Sequence, residues 1–213
     1  MTVPTISVGK GETAVVGYGL LLVRRTVDRT VGGTYGGPFA RCRLDGWRRV
    51  WGATMPNEAF YYDSDGGRVY PQQITYLDIV RHSGTALNCV VIVLNDIQLA
   101  AMNAREWIYE ATPVARSLQG VRIDGGEALA YTASSDHRRD PAAQLPEVAI
   151  RRTYLDGLDG MLEGLGPDQR SQFLATTEEP PERLIVDDAL DPDRPNPWEA
   201  AGQSFDPSRQ TDE

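Results

Sequence analysis

The chain has 213 residues, 24% of them charged and 41% hydrophobic, a composition ordinary for a soluble globular protein and a length that suits one domain with a substantial core. The formal net charge of −9 is unevenly placed: from residue 178 on, eleven Asp and Glu stand against three Arg, so the rest of the chain is nearly neutral. The Arg-Arg pairs at 24–25, 48–49, 138–139 and 151–152 form no continuous basic track and read as isolated solvated charges, which argues against a nucleic-acid partner.

In chain order, residues 13–18 (TAVVGY) form a short apolar run with β-branched valines, a buried strand that ends at Gly19, where the backbone can turn sharply. Leu20, Leu21 and Leu22 follow, and the run is too short and too broken by glycine to span a membrane. Residues 26–37 end in two glycine pairs and predict a loop or short helix; the P-loop spacing with a following Lys-Ser/Thr is absent. Asp45-Gly46 between residues 39–44 and 47–53 predicts a β-hairpin, and Asp65-Gly66-Gly67 a second turn. Residues 74–81 and 86–94 predict another hairpin around Ser83-Gly84-Thr85, its second arm apolar enough for a central strand. Residues 109–118 and 126–133 are again strand-like.

Between these strands, residues 95–109 (NDIQLAAMNAREWIY) predict a helix with Asn95 as N-cap and Gln98 completing a capping box. At 100° per residue Ile97, Ala101, Ala104 and Ile108 share one face and Leu99, Met102 and Glu106 another, so both faces are expected to be buried. Glu106 then lies in an apolar row near the helix C-terminus, where desolvation and the helix dipole both raise a carboxyl pKa. Helix geometry leaves two roles open for it: a structural carboxylate paired with a nearby arginine, or a group that takes and returns protons.

Helical spacing returns over residues 146–165, through Val148, Tyr154, Leu155, Leu158, Met161, Leu162 and Leu165, and Gly166-Pro167 separates it from a short helical run at 168–176. Prolines 180, 181, 192, 195, 197 and 207 with the acidic balance favour solvated chain from 178 on, while Leu184-Ile185-Val186, Trp198 and Phe205 leave open an extension docked on the domain surface. We therefore divide the chain into a domain at 1–177 and an acidic Pro-rich extension at 178–213. Several strands around one helix make the fold class α+β, a mostly antiparallel sheet or small barrel. Cys42 and Cys89 read as buried strand residues without a metal pattern, His82 and His137 as structural or surface residues, and with no leader-like N-terminus a cytoplasmic location is expected.

Four segments in this order resemble the γ-glutamylcyclotransferase-like family. VVGYGLLL is similar to its Tyr-Gly-Ser-x-Leu loop, with Tyr18, Gly19 and Leu22 in step. Residues 27–51 resemble its glycine-rich turn, GPF strand and GW(R)R hairpin, and ALAYTA its later strand, with Tyr131 at the tyrosine position. The segment from Met102 to Glu106 resembles the LD-x-x-E helix end that carries the family's catalytic glutamate.

The resemblance implies a small β-barrel with flanking helices over 1–177. It also implies an enzyme that releases 5-oxoproline from a small γ-glutamyl amine, amino acid or peptide. Glu106 would be general base and acid, with Tyr18, Gly19, Leu20, Leu21 and Tyr131 around the substrate and no metal or cofactor. Two positions depart from the pattern: Leu20 stands where the family has serine, and Asn103 where it has aspartate. The alternative is a non-catalytic small-molecule-binding or protein-interaction module on the same fold. For Tyr18 and Tyr131, packing with a hydrogen-bonded hydroxyl and substrate contact stand side by side.

Overall fold

The computed structural model describes residues 3–139 and 148–194. A short strand β1 (Thr5–Ser7) and β2 (Glu12–Gly17) lead through a 3₁₀ turn at Leu20–Leu22 to helix α1 (Arg24–Thr30). Two long strands follow: β3 (Phe39–Pro56) and, after the hairpin of β4 (Phe60–Ser64) and β5 (Gly67–Val69), β6 (Gln73–Asn95). Helix α2 (Asp96–Arg105) leads to β7 (Tyr109–Pro113), β8 (Leu118–Gln119), β9 (Arg122–Asp124) and β10 (Ala128–Ala133). Then come β11 (Val148–Arg151), α3 (Arg152–Leu165), α4 (Pro167–Ala175), β12 (Ile185–Val186) and β13 (Asp188–Leu190).

The main sheet has the order β12-β11-β6-β2-β10-β7, with β3 along the other edge of β6 and β8 beside β3. Most pairs are antiparallel, but β2 with β10 and β6 with β11 run parallel. The fold is α+β, as expected, but the sheet curls into a half-barrel flanked by helices: its outer strands β7 and β12 do not pair with each other, so the closed small barrel is not formed.

The ribbon of β3 and β6 corrects two predicted turns. Their ladder runs from Phe39 opposite Ile92 to Pro56 opposite Gln73, so the arms on either side of Asp45-Gly46 belong to one strand, and so do those around Ser83-Gly84-Thr85. The register passes from Asp45 opposite Ala86 to Trp47 opposite Arg81, which leaves residues 82–85 outside the ladder, with 82–84 exposed. Gly46, at φ 75°, supplies the left-handed residue of a bulge in place of a hairpin turn. The cause is burial: residues 87–94 are buried on both faces and need a neighbour on each edge, which a hairpin folding back on itself does not provide. Asp65-Gly66 does form the predicted turn, with Ser64 opposite Gly67 between β4 and β5.

Two predicted solvated arginines lie in the interior. Arg151, 1% exposed, donates through Nε to Asp188 Oδ2 at 2.7 Å and sits over the Phe60 ring at 3.4 Å. Arg49 is fully buried beneath the candidate site. Val148 belongs to β11, not to the helix, but Leu158, Met161 and Leu162 of α3 are buried against Trp51, Leu77 and Phe173 as the spacing requires. Cys42 and Cys89 face each other across β3 and β6, buried and free, with their sulfurs 3.3 Å apart.

From residue 178 to 194 the chain stays on the sheet. The Trp51 indole donates to the Glu178 carbonyl at 2.9 Å, β12 pairs with β11, β13 pairs with β4, and Leu184 is buried. Trp198 and Phe205 lie outside the described residues. Among the described residues no helix is long and apolar enough to cross a membrane.

Candidate functional site

Strands β2 and β10 run parallel, with Val16 opposite Ala130, so Gly17, Tyr18 and Tyr131 emerge together at their carboxyl ends. A cavity of about 70 Å³ opens there, lined by Tyr18, Gly19, Leu20 and Leu21 from the turn, Arg105 and Glu106 from the end of α2, and Tyr131 from β10. Tyr76, Leu77, Ile108, Tyr109 and Tyr154 complete the wall. By volume the cavity holds a compact group the size of a few waters.

The turn after β2 needs a glycine at its root. A Cβ on Gly17 would meet Leu21 Cβ at 2.5 Å and Val90 Cγ2 at 3.2 Å, so only hydrogen lets the chain fold back onto itself here. The Leu22 amide bonds the Gly19 carbonyl at 2.9 Å, which leaves the Leu20 and Leu21 amides ahead of the first bond of the turn. Gly17→Ala should cost about 1–3 kcal/mol by overpacking, read as a lower thermal midpoint.

Helix α2 begins as predicted: Asn95 Oδ1 accepts from the Gln98 amide at 3.0 Å and Gln98 Oε1 from the Asn95 amide at 3.2 Å. Its predicted burial on two sides is corrected, because Ile97 is 83% exposed and Met102 is the one buried residue of the helix. The helix also ends at Arg105 and not at 109, with Glu106 as its C-cap, so Ile108 is buried from the following loop. The second face holds: Met102 packs among Val15, Leu21, Ile92 and Tyr131, and Glu106, one turn on, follows it inward and is 8% exposed.

Glu106 forms an ion pair with Arg105, whose side chain is 13% exposed. The arginine that the structural alternative called for is thus its neighbour in the chain. Glu106 therefore meets both descriptions left open above, since it is paired with an arginine and lines the cavity. Burial lowers the Arg105 pKa, with the surrounding tyrosines 109, 154, 18 and 131 opposing it. Burial raises the phenol pKa of Tyr18, Tyr109 and Tyr154, and that of Tyr131 to about 12. The tyrosines are neutral at physiological pH, so the cavity wall carries one cation and one anion.

The two predicted tyrosines are held by their hydroxyls. Tyr18 donates to the Tyr131 carbonyl at 2.6 Å, and Tyr131 donates to Asn103 Oδ1, the position where the resembling family has aspartate. Leu20 is 6% exposed and packs with Trp51, Leu77 and Leu158, an apolar wall where the resembling family has serine.

Sequence reasoning missed four supports. Arg49 donates through Nε to the Tyr18 carbonyl at 2.6 Å and through a terminal nitrogen to Asn88 Oδ1 at 2.9 Å, and stacks on Phe173 at 4.0 Å. Tyr109 donates to the Leu77 carbonyl at 2.8 Å. Tyr154, from the first turn of α3, meets Tyr76 edge-on at 5.0 Å; its place in the apolar stripe of that helix was the available signal. The fourth, Asp78, is buried, and its Oδ1 accepts from the Ile79 and Ala133 amides at 2.8 Å each, fixing the end of β10 against β6.

Burial raises the Asp78 pKa, opposed by those amides and by Arg138. The native state then keeps a proton that the unfolded chain has released. The stability contributed is present below the ordinary carboxylate pKa and is lost as pH rises through the raised one. Asp78→Asn should flatten that part of the stability profile, measured by urea denaturation at a series of pH values from the ordinary carboxylate pKa, about 4, upward.

Among the described residues no group of three or more His, Cys, Asp or Glu gathers as metal ligands. No family model matches the sequence, and no curated protein matches it. Among solved structures the chain is similar to a gamma-glutamyl cyclotransferase, at 12% identity over 81% of this chain and 95% of that one, with a TM-score of 0.46. It is similar to an uncharacterised protein of Homo sapiens at 14% identity, over 82% of this chain and 96% of that one, with a TM-score of 0.46. A protein of Arabidopsis thaliana is 18% identical over 63% of this chain and 76% of that one, with a TM-score of 0.40. These are likenesses of fold.

Proposed function

We propose that this chain is a γ-glutamylcyclotransferase-like enzyme that releases 5-oxoproline from a small γ-glutamyl amine, amino acid or peptide. The observation that carries the reading is that the Glu106 carboxylate and the turn from Gly19 to Leu21 line one cavity. In the reaction the substrate's α-nitrogen attacks its own γ-carbonyl carbon, a C–N bond closes the five-membered ring, and the C–N bond to the leaving amine breaks. Two protons pass from the α-ammonium to the leaving nitrogen, and Glu106 carries them as base and then acid.

Backbone amides of Leu20 and Leu21 suit the developing oxyanion, a class of contact worth about 10²–10³ in rate. Because both reacting groups belong to one molecule, the site mainly has to hold the substrate folded. Incubation of the full chain with a panel of γ-glutamyl amines, amino acids and peptides should release 5-oxoproline from at least one. Release from none of them would remove the reading.

A second reading, a non-catalytic binding module, is favoured by the Arg105–Glu106 ion pair and by Leu20 in the apolar cluster. It expects binding without turnover, and binding that survives Glu106→Gln.

A further inference from the structure

Arg105 and Glu106 are the only charged side chains on the cavity wall among the described residues, and each is the other's ion-pair partner. Their side chains are 13% and 10% exposed. Separating two mostly buried opposite charges is costly, so Glu106 turns to a substrate ammonium at least cost when another anion takes its place beside Arg105. A γ-glutamyl group carries that anion: its α-carboxylate is bonded to the same carbon as the reacting α-amine.

We propose that Arg105 is the receptor for the substrate's α-carboxylate and changes partner on binding, from Glu106 to that carboxylate, as Glu106 turns to the α-ammonium. This rests on the cyclotransferase reading for the reaction it serves. One internal ion pair becomes two pairs with the substrate, and no buried charge is left alone. Arg105 then sets the substrate class: acyl donors with a complete α-amino acid head are accepted, and γ-aminobutyryl compounds, which lack the carboxylate, are refused. A planar guanidinium suits the task because it binds a carboxylate through two parallel hydrogen bonds. The exchange also acts on the product. Ring closure consumes the ammonium, so Glu106 loses its new partner and returns to Arg105, displacing the 5-oxoproline carboxylate.

The test is calorimetric titration of the full-length protein with 5-oxoproline and with 2-pyrrolidinone, the same ring without the carboxylate. Wild type, Glu106→Gln, Arg105→Lys and the double variant Arg105→Gln with Glu106→Gln are compared. Glu106→Gln removes the internal competitor and should bind 5-oxoproline about tenfold or more tighter than wild type, and about tenfold or more tighter than it binds 2-pyrrolidinone. Arg105→Lys should bind 5-oxoproline more weakly than wild type. The double variant, which replaces both charges and leaves neither unpaired, should show no preference between the two rings. Equal affinity of Glu106→Gln for both rings, a preference that survives in the double variant, or no binding of 5-oxoproline to any of them overturns the proposal. The two readings fail separately: turnover without a carboxylate preference removes Arg105 and keeps the reaction, and a carboxylate preference without turnover does the reverse.

Discussion

Glu106→Gln should lower 5-oxoproline release by about 10²–10⁴-fold, the range expected when a positioned acid–base group is removed. The substitution keeps the size and shape of the side chain and takes away its ability to accept a proton. It also leaves the Arg105 guanidinium without its carboxylate in a mostly buried position, and breaking a buried pair costs about 3–5 kcal/mol. The thermal midpoint must therefore be measured with the rate. At a temperature where the variant is folded, the loss of kcat remains if Glu106 moves protons and vanishes if it only holds Arg105. Equal turnover by wild type and variant on every substrate would end the assigned role.

The second large effect is expected far from any substrate. Arg49→Met should destabilise the protein by about 3–5 kcal/mol, because it orphans the buried Tyr18 carbonyl and the Asn88 Oδ1 at roughly 1–3 kcal/mol each and removes the contact with Phe173. For a domain of this size that lowers the thermal midpoint by about 6–20 °C. Burial lowers the guanidinium pKa to about 9, so the group is charged at neutral pH although its hydrogen-bond partners are neutral oxygens. Arg49→Lys should recover less than half of the loss, since an ammonium cannot reach strand β6, α4 and the Tyr18 carbonyl in one plane. Urea denaturation of the three proteins decides it: a lysine variant as stable as wild type would show that charge, and not the fork of donors, is what the site requires.

Local chemistry was readable in the sequence, and long-range burial was not. The capping box at Asn95 and Gln98, the turn at Asp65-Gly66 and the stop at Gly166-Pro167 are set by neighbours within a few residues, and each is found. Asp45-Gly46 carries an equally strong local signal, yet it forms a bulge because β3 gains a longer partner in β6 than its own arms offer each other. The same limit governs the arginines. Nothing near Arg49 or Arg151 in sequence distinguishes them from Arg48 or Arg152, whose side chains are 40% and 48% exposed; the partners that bury them come from the turn after β2, β6, α4 and the segment after α4. At the candidate site, the row of Met102 and Glu106 was legible from helical spacing. The ion pair with Arg105 was not, because adjacent helical residues point about 100° apart until the helix ends and the cap residue turns.

The link between Arg151 and Asp188 bears on how the chain is made. The two are 37 residues apart, so at roughly 5–20 residues per second the arginine is synthesised about 2–7 s before its partner. A guanidinium is not buried alone, and during that interval β11 lacks β12 on its edge while β4 lacks β13. Two sheet edges thus stay open on the nascent protein until the segment after α4 arrives, the interval in which strand-to-strand association between neighbouring chains is most favoured. Slow translation between codons 151 and 188 should lower soluble yield even though the finished protein is unchanged.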